Sequence, residues 1–149
     1  MFVRNMSTLD CTKILDRVRL GRLACSKDDQ PYVIPLHFAH ADNRLYAFSL
    51  LGKKIEIMRS NPRVCVIVEE PGPGREWKSV VVNGQFEEFP DRIGSKQALE
   101  HAWSLLSQHA AWWEPGALKP IDPGAGAPSK PIFFAIRIDE LSGREARDV

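Results

Sequence analysis

Leu51-Gly52-Lys53-Lys54 is the segment whose residue types suggest the most definite chemistry. A helix opening at Gly52 would leave its first backbone N–H groups unpaired beside two ammonium groups, with the helix dipole favouring negative charge. A phosphate suits that arrangement, and the hydroxyl of Ser49 at the end of the preceding strand would add one donor. Taken alone, a Gly-Lys-Lys step is short and common, and two solvated surface lysines also account for it. The four histidines carry less. His37-x-x-His40 has the spacing of a metal pair, but no third ligand follows at useful distance, so no metal site is expected. His37 reads as a strand residue facing a pocket, His40 as hairpin surface, and His101 and His109 as the solvent side of a helix. No Ser-His-Asp order or nucleophile elbow occurs.

Cys11, Cys25 and Cys65 are odd in number and widely spaced, which disfavours both a disulfide framework and a structural zinc site. Cys25 and Cys65 lie in apolar stretches and read as small core residues. Cys11 falls near a helix start, where a thiol pKa can drop, but no base partner accompanies it. Four tryptophans are many for this length. Three of them, Trp77, Trp112 and Trp113, fall at element ends, where one could cover an aromatic ligand.

The elements that must position these residues follow from periodicity. Ser7 or Thr8 caps a first helix with Ile14, Leu15 and Val18 on one face, stopped by Gly21. Leu23–Ser26 is a short strand and Lys27–Gln30 a polar turn. The run from Pro31 to Phe38 is nearly all apolar, as in a strand buried on both faces. Pro35 would cost it a ladder bond, which implies an edge or a bulge. Asp42–Asn43 turns into a return strand, Arg44–Ser49. A short helix runs from Lys53 to Ser60 with Ile55 and Met58 buried, and Asn61-Pro62 ends it. Arg63–Glu69 is a β-branched strand, followed by the turn Pro71-Gly72-Pro73-Gly74. Trp77–Phe89 is a long strand with a bulge at Gly84. Ser95 to Ala111 has the stripe Leu99, Ala102, Trp103, Leu106 of a second helix. Five prolines and three glycines make residues 115–131 a loop. Ile132–Ile138 is a last strand, and Ser142–Val149 a polar, frayed tail.

Hairpin-linked strands with few helices fit a single domain, mainly β with flanking helices, built as a small antiparallel barrel. Neither strand–helix alternation nor a Gly-rich phosphate fingerprint is present, which excludes Rossmann and P-loop chemistry. The 149 residues suffice for one domain with a real core, and at 44% hydrophobic and 26% charged the chain is not a disordered tail. Its net charge of +1 argues against a nucleic-acid surface. Apolar runs such as Val64–Val68 are too short to span a membrane, and Met1 to Asp10 lacks a basic-then-apolar leader, so a cytoplasmic location is expected.

In order along the chain, Pro31-Tyr32-Val33-Ile34-Pro35-Leu36, Leu45-Tyr46-Ala47-Phe48-Ser49, Gly52-Lys53-Lys54-Ile55-Glu56 and Met58-Arg59-Ser60-Asn61-Pro62-Arg63-Val64-Cys65 are followed by three further pieces. These are Trp77-Lys78-Ser79-Val80-Val81-Val82-Asn83-Gly84, Trp112-Trp113-Glu114-Pro115 and the strand Phe133–Ile138. This ordered set resembles the pyridoxamine 5'-phosphate oxidase-like, FMN-binding split-barrel superfamily, closest to its small bacterial, nitroimidazole-resistance-type branch. The resemblance implies an antiparallel split β-barrel and a homodimer holding two FMN molecules in clefts between subunits. It places Val33, Ile34, Pro35, Leu36 and His37 along the flavin ring edge. It sets Phe48 and Ser49 by the ribityl chain and phosphate, Lys53 and Lys54 on the phosphate, and Ser79 and Val80 near the ring. Trp112 or Trp113 of a second subunit would close the cleft. The chain departs from the oxidase in having lysine where that enzyme has arginine beside its phosphate lysine. It also lacks a second basic cluster and an Arg-x-His signature in the tail. The expectation is therefore an FMN-dependent oxidoreductase acting on a small aromatic or nitro-aromatic acceptor, with NADH or NADPH as donor, and not pyridoxamine phosphate oxidation itself. A non-enzymatic FMN holder, or a haem- or deazaflavin-binding split barrel, is the alternative.

Overall fold

The computed structural model describes residues 1–90, 93–108 and 132–148. Its elements run β1 (Phe2–Asn5), α1 (Thr8–Arg17), β2 (Leu20–Lys27), β3 (Gln30–His37), β4 (Ala39–Ala41), β5 (Arg44–Ser49), α2 (Lys53–Ser60), β6 (Arg63–Pro71) and β7 (Trp77–Phe89). A turn of 3-10 helix, α3 (Lys96–Leu106) and β8 (Ile132–Arg147) follow. All ladders are antiparallel, in the order β3-β2-β6-β7-β8-β5-β4, with β1 added to β8. The sheet curls without closing, which makes this a split barrel.

The long strands β7 and β8 form the spine. β8 pairs with β7 along one side, while on its other side Ile132–Arg137 holds β5 and Arg144–Arg147 holds β1. The tail is therefore ordered strand, where a frayed end was expected. Polar residues hide this strand because half of each β-face near its end is wet, yet Glu145 and Ala146 are buried. Glu145 accepts from Arg4 Nε at 2.5 Å and from Arg147 Nε at 3.3 Å, fastening β1 to β8.

The bulge lies one strand away from where Gly84 suggested it. Asn83 faces Glu140 and Gly84 faces Ile138, so the extra residue is Asp139 of β8. Gly84 is still required there, because a Cβ at that position would collide with the carbonyl of Arg137.

Three other expectations need correction. α1 is capped by Ser7, whose hydroxyl accepts from Asp10 N–H, but it ends at Val18. Gly21 lies inside β2, where a Cβ would come 2.9 Å from the Ile67 carbonyl. β5 forms its hairpin with the short β4, because the chain breaks at Phe38, whose N–H donates to the Arg19 carbonyl. Finally, β3 is not buried on both faces, since Val33 is 60% exposed; of the two outcomes that Pro35 implied, the edge is the one found. The Phe38–Arg19 bond sets the alternation of the β2–β3 ladder, so Leu36, Ile34 and Tyr32 bond to β2. Pro31, Val33 and Pro35 direct their backbone groups outward. Both prolines thus occupy slots where no ladder bond is lost, and Pro35 forces no bulge.

Ile55, Ile57 and Met58 of α2 and Ile14 and Leu15 of α1 are buried against the inner sheet face. Each such side chain contributes about 1.5–3 kcal/mol. A second cluster joins Leu99, Ala102 and Leu106 of α3 to Tyr46, Phe133 and Ala135. Cys25 is buried in the main core, whereas Cys65 is only half-buried, on the outer face of β6.

Candidate functional site

The two-residue turn at Asp28-Asp29 sets Cys25 opposite Tyr32 in the β2–β3 hairpin. Above this pair stands the first turn of α2. Lys53 is exposed, with its Nζ 4.9 Å from the Tyr32 ring centroid. Lys54 is half-buried, and burial pushes its ammonium below the usual lysine range, partly offset by the Cys25 thiol. The same burial raises Cys25, which Lys54 opposes.

Among the described residues no carboxylate lies within ion-pair distance of Lys53 or Lys54. Arg17, Arg44 and Arg59, by contrast, each hold a glutamate at 2.6–2.8 Å. A half-buried cation without a counter-charge is costly unless an anion completes it. Gly52 occupies the N-cap without any side-chain bond, so the first N–H groups of α2 remain available. Ser49 is buried and donates its hydroxyl to the Leu50 carbonyl at 2.8 Å, which turns it away from the donor role expected of it in this conformation. Beside the cations runs the outer edge of β3, which presents the N–H and carbonyl of Val33 and the carbonyls of Pro31 and Pro35.

The structure thus brings Lys53, Lys54 and Tyr32 together beside Val33, Ile34, Pro35 and Leu36, with Ser49 three residues before Gly52. Ile34 is half-buried and Leu36 buried, so these two offer backbone and packing rather than open surface. His37 ends β3, half-buried. Phe48 points to the other face, against Phe133 in the α3 cluster. Ser79 and Val80 lie on β7, three strands and about 14 Å from β3. Val80 is fully buried in the core of the same chain. Trp112 and Trp113 lie outside the described residues, as does His109. The contact of Lys53 with Tyr32 and of Lys54 with Cys25 was not anticipated. A count outward from the Asp28-Asp29 turn pairs Cys25 with Tyr32, but only the packing of α2 on β2 brings the lysines to that pair.

His40 and His101 are not simply surface residues. His40 Nδ1 meets Asp16 of α1 at 2.6 Å, and His101 Nε2 of α3 meets Asp42 at 2.6 Å. The Tyr46 hydroxyl donates to the same Asp42 oxygen at 3.0 Å. The Asp42 carboxyl is lowered by these two bonds, His101 first. Burial, together with Asp42, raises Tyr46 to about 12. These contacts tie α1 and α3 to the β4–β5 hairpin.

A hollow of about 640 Å³ opens on the outer sheet face between Arg63, Gln85, Asp139 and Glu140. Its two carboxylates outnumber its one cation, Arg63, which leaves the start of α2 as the better anion site.

An incompletely closed antiparallel barrel, with a lysine pair that no carboxylate among the described residues neutralises, defines a split-barrel protein with a candidate anion site at the start of α2. The chain belongs to the pyridoxamine 5'-phosphate oxidase family, which it matches over residues 7–145. An uncharacterised protein of Rhizobium meliloti (strain 1021) is 48% identical over 146 residues, covering 98% of this chain and 97% of its own. A crystal structure of a Mesorhizobium loti protein described as FAD-binding is 58% identical with a TM-score of 0.81, covering 99% of this chain and 100% of that one. At the level of fold alone, a candidate 5-nitroimidazole antibiotic-resistance protein from Bacteroides thetaiotaomicron matches with a TM-score of 0.73 at 16% identity, over 97% of this chain and 89% of its own. No helix among the described residues is long and apolar enough to cross a membrane.

Proposed function

We propose that this protein binds a flavin nucleotide, with its phosphate on Lys53, Lys54 and the first N–H groups of α2 and its ring along the outer edge of β3. The observation that carries this reading is the lysine pair without a carboxylate partner among the described residues, half-buried at Lys54. The 58% identical relative described as FAD-binding supports it. FMN fits the single anion site. FAD is the second reading, favoured by that relative, and its FMN half would use the same residues.

The residues present fit such a group. Lys54 neutralises the phosphate from a desolvated position, where the attraction is screened least. Lys53 adds a second, solvent-facing charge. The N–H and carbonyl of Val33 offer a donor and an acceptor to the polar edge of the ring. A bound flavin supplies hydride and single-electron chemistry. The apolar surroundings of Val33, Pro35 and Ile34 then favour a flat, weakly charged acceptor, aromatic or nitro-aromatic, with NADH or NADPH as the hydride source.

The functional unit in this reading is a homodimer. Around Arg22, which lies between Pro35 and Ile67, the outer sheet face carries Val33, Pro35, Ala24, Ile67 and Val81 in adjoining rows, a mostly apolar surface that a second copy would cover. Phe48, Ser79 and Val80 are not gathered at β3 within one chain, so any contact from β7 to the ring would have to come from the partner.

Reconstitution tests the whole reading. The protein is mixed with FMN, FAD and riboflavin, and bound flavin is read by fluorescence quenching. FMN or FAD should bind, and sedimentation should give about twice the 16.8 kDa chain mass. The chemically reduced, flavin-loaded protein should then pass electrons to a nitro-aromatic. Absence of flavin binding contradicts the proposal, and binding without electron transfer to any acceptor reduces the protein to a flavin holder.

A further inference from the structure

Tyr32 joins the two halves of this site. It faces α2, while its neighbour Val33 turns its backbone to the open edge of β3. Its ring packs against the main core, and it is half-buried and in register with Cys25, so the ring itself is held. Lys53 is exposed and has no carboxylate among the described residues to fix it, yet its ammonium sits over that ring at 4.9 Å. A lysine side chain otherwise samples many rotamers, at a cost when a ligand immobilises it. The negative face of an aromatic ring attracts a cation without neutralising it, so a cation held there still attracts an anion.

We infer that Tyr32 is a positioning residue for the anion site, its ring holding the Lys53 ammonium in place for a flavin phosphate. The inference rests on the proposed flavin reading but assigns a role that the lysines alone do not define. The hydroxyl has no part in it. Phenylalanine should therefore replace tyrosine, and leucine should not.

Three proteins decide it: native, Tyr32→Phe and Tyr32→Leu. FMN and riboflavin affinities are measured by fluorescence quenching at low salt, and the Lys53 side-chain protons are followed by NMR without flavin. An exposed cation–π contact corresponds to about a two- to fivefold change in affinity. FMN should therefore bind about two- to fivefold more weakly to Tyr32→Leu and equally to Tyr32→Phe, while riboflavin should not distinguish the three. The upfield ring-current shift of the Lys53 ε-protons should be kept in Tyr32→Phe and lost in Tyr32→Leu. Equal FMN affinity in all three overturns the inference. So does a parallel loss of riboflavin binding, which would mean that Tyr32 acts only by packing. If native protein binds no flavin, the proposed function fails and the role of Tyr32 in binding fails with it. Separately, a missing ring-current shift refutes the hold on Lys53 whatever the flavin does.

Discussion

Replacing Lys54 by methionine should move stability and ligand affinity in opposite directions. The ammonium is half-buried, has no carboxylate near it among the described residues, and is pushed below the ordinary lysine range by desolvation. A folded-state pKa below the unfolded one means that the protonated form favours unfolding. The penalty is fully present at neutral pH and is relieved only as pH rises through the lowered value towards the ordinary lysine range, near pH 10. Methionine keeps most of the volume and removes the charge. Ligand-free Lys54→Met should therefore be as stable as the native protein or more so, by up to about 1 kcal/mol. Affinity for FMN should fall by about 1.5–3 kcal/mol, the range of one hydrogen bond to a charged group, or roughly 10- to 150-fold. Lys53→Met, at an exposed position, should cost less, and its effect should shrink in high salt. Urea denaturation of the ligand-free proteins gives the first quantity and fluorescence titration the second. Unchanged FMN affinity in Lys54→Met would refute the phosphate assignment. A fall in stability matching the fall in affinity would show that Lys54 is a structural residue.

Glu145→Gln should destabilise the protein by about 1–3 kcal/mol at pH 7 by releasing Arg4 and Arg147. The bond from Arg4 holds the Glu145 carboxyl below its usual range, so its contribution is present above about pH 4.3 and is lost as pH falls through the lowered value; urea melts at pH 7 and at successively lower pH should show the difference between the two proteins shrink in acid. Gly84→Ala should cost about 3 kcal/mol or more, since its methyl meets the Arg137 carbonyl, whereas Gly94→Ala, whose methyl meets nothing within 4 Å among the described residues, should stay within about 1 kcal/mol by the same denaturation assay. Tyr46 is raised to about 12, so the neutral phenol stabilises the fold below pH 10 and that contribution is lost between pH 10 and 12; Tyr46→Phe should show a correspondingly smaller alkaline loss in thermal melts.

Local patterns in the chain carried much of this architecture. The Trp77–Phe89 strand and the Lys53–Ser60 helix follow directly from β-branched runs and from the Gly52 and Asn61-Pro62 punctuation. What escaped were features decided across the sheet. β1 is only four residues long and the end of β8 is polar, and it is pairing across the sheet, β8 with both β7 and β1, together with the buried Glu145, that makes them strands. The Pro31–Phe38 run looked doubly buried because Val33 and Pro35 are apolar; Pro35 left an edge or a bulge open, and side-chain polarity does not choose between them. The outward parity of Pro31 and Pro35 does, once the Asp28-Asp29 turn fixes the register. The lysine pair was legible as a possible anion site from type and spacing. Its lack of a counter-charge was not, because that depends on where every carboxylate of the fold comes to rest.

A crystal structure of the FMN-loaded protein tests the central claim most directly. The account predicts a phosphate oxygen within about 2.7–3.2 Å of Lys54 Nζ, with the polar ring edge bonded to the backbone of Val33. A flavin seated elsewhere, such as the hollow beside Asp139 and Glu140, with Lys54 still unpaired, would contradict it.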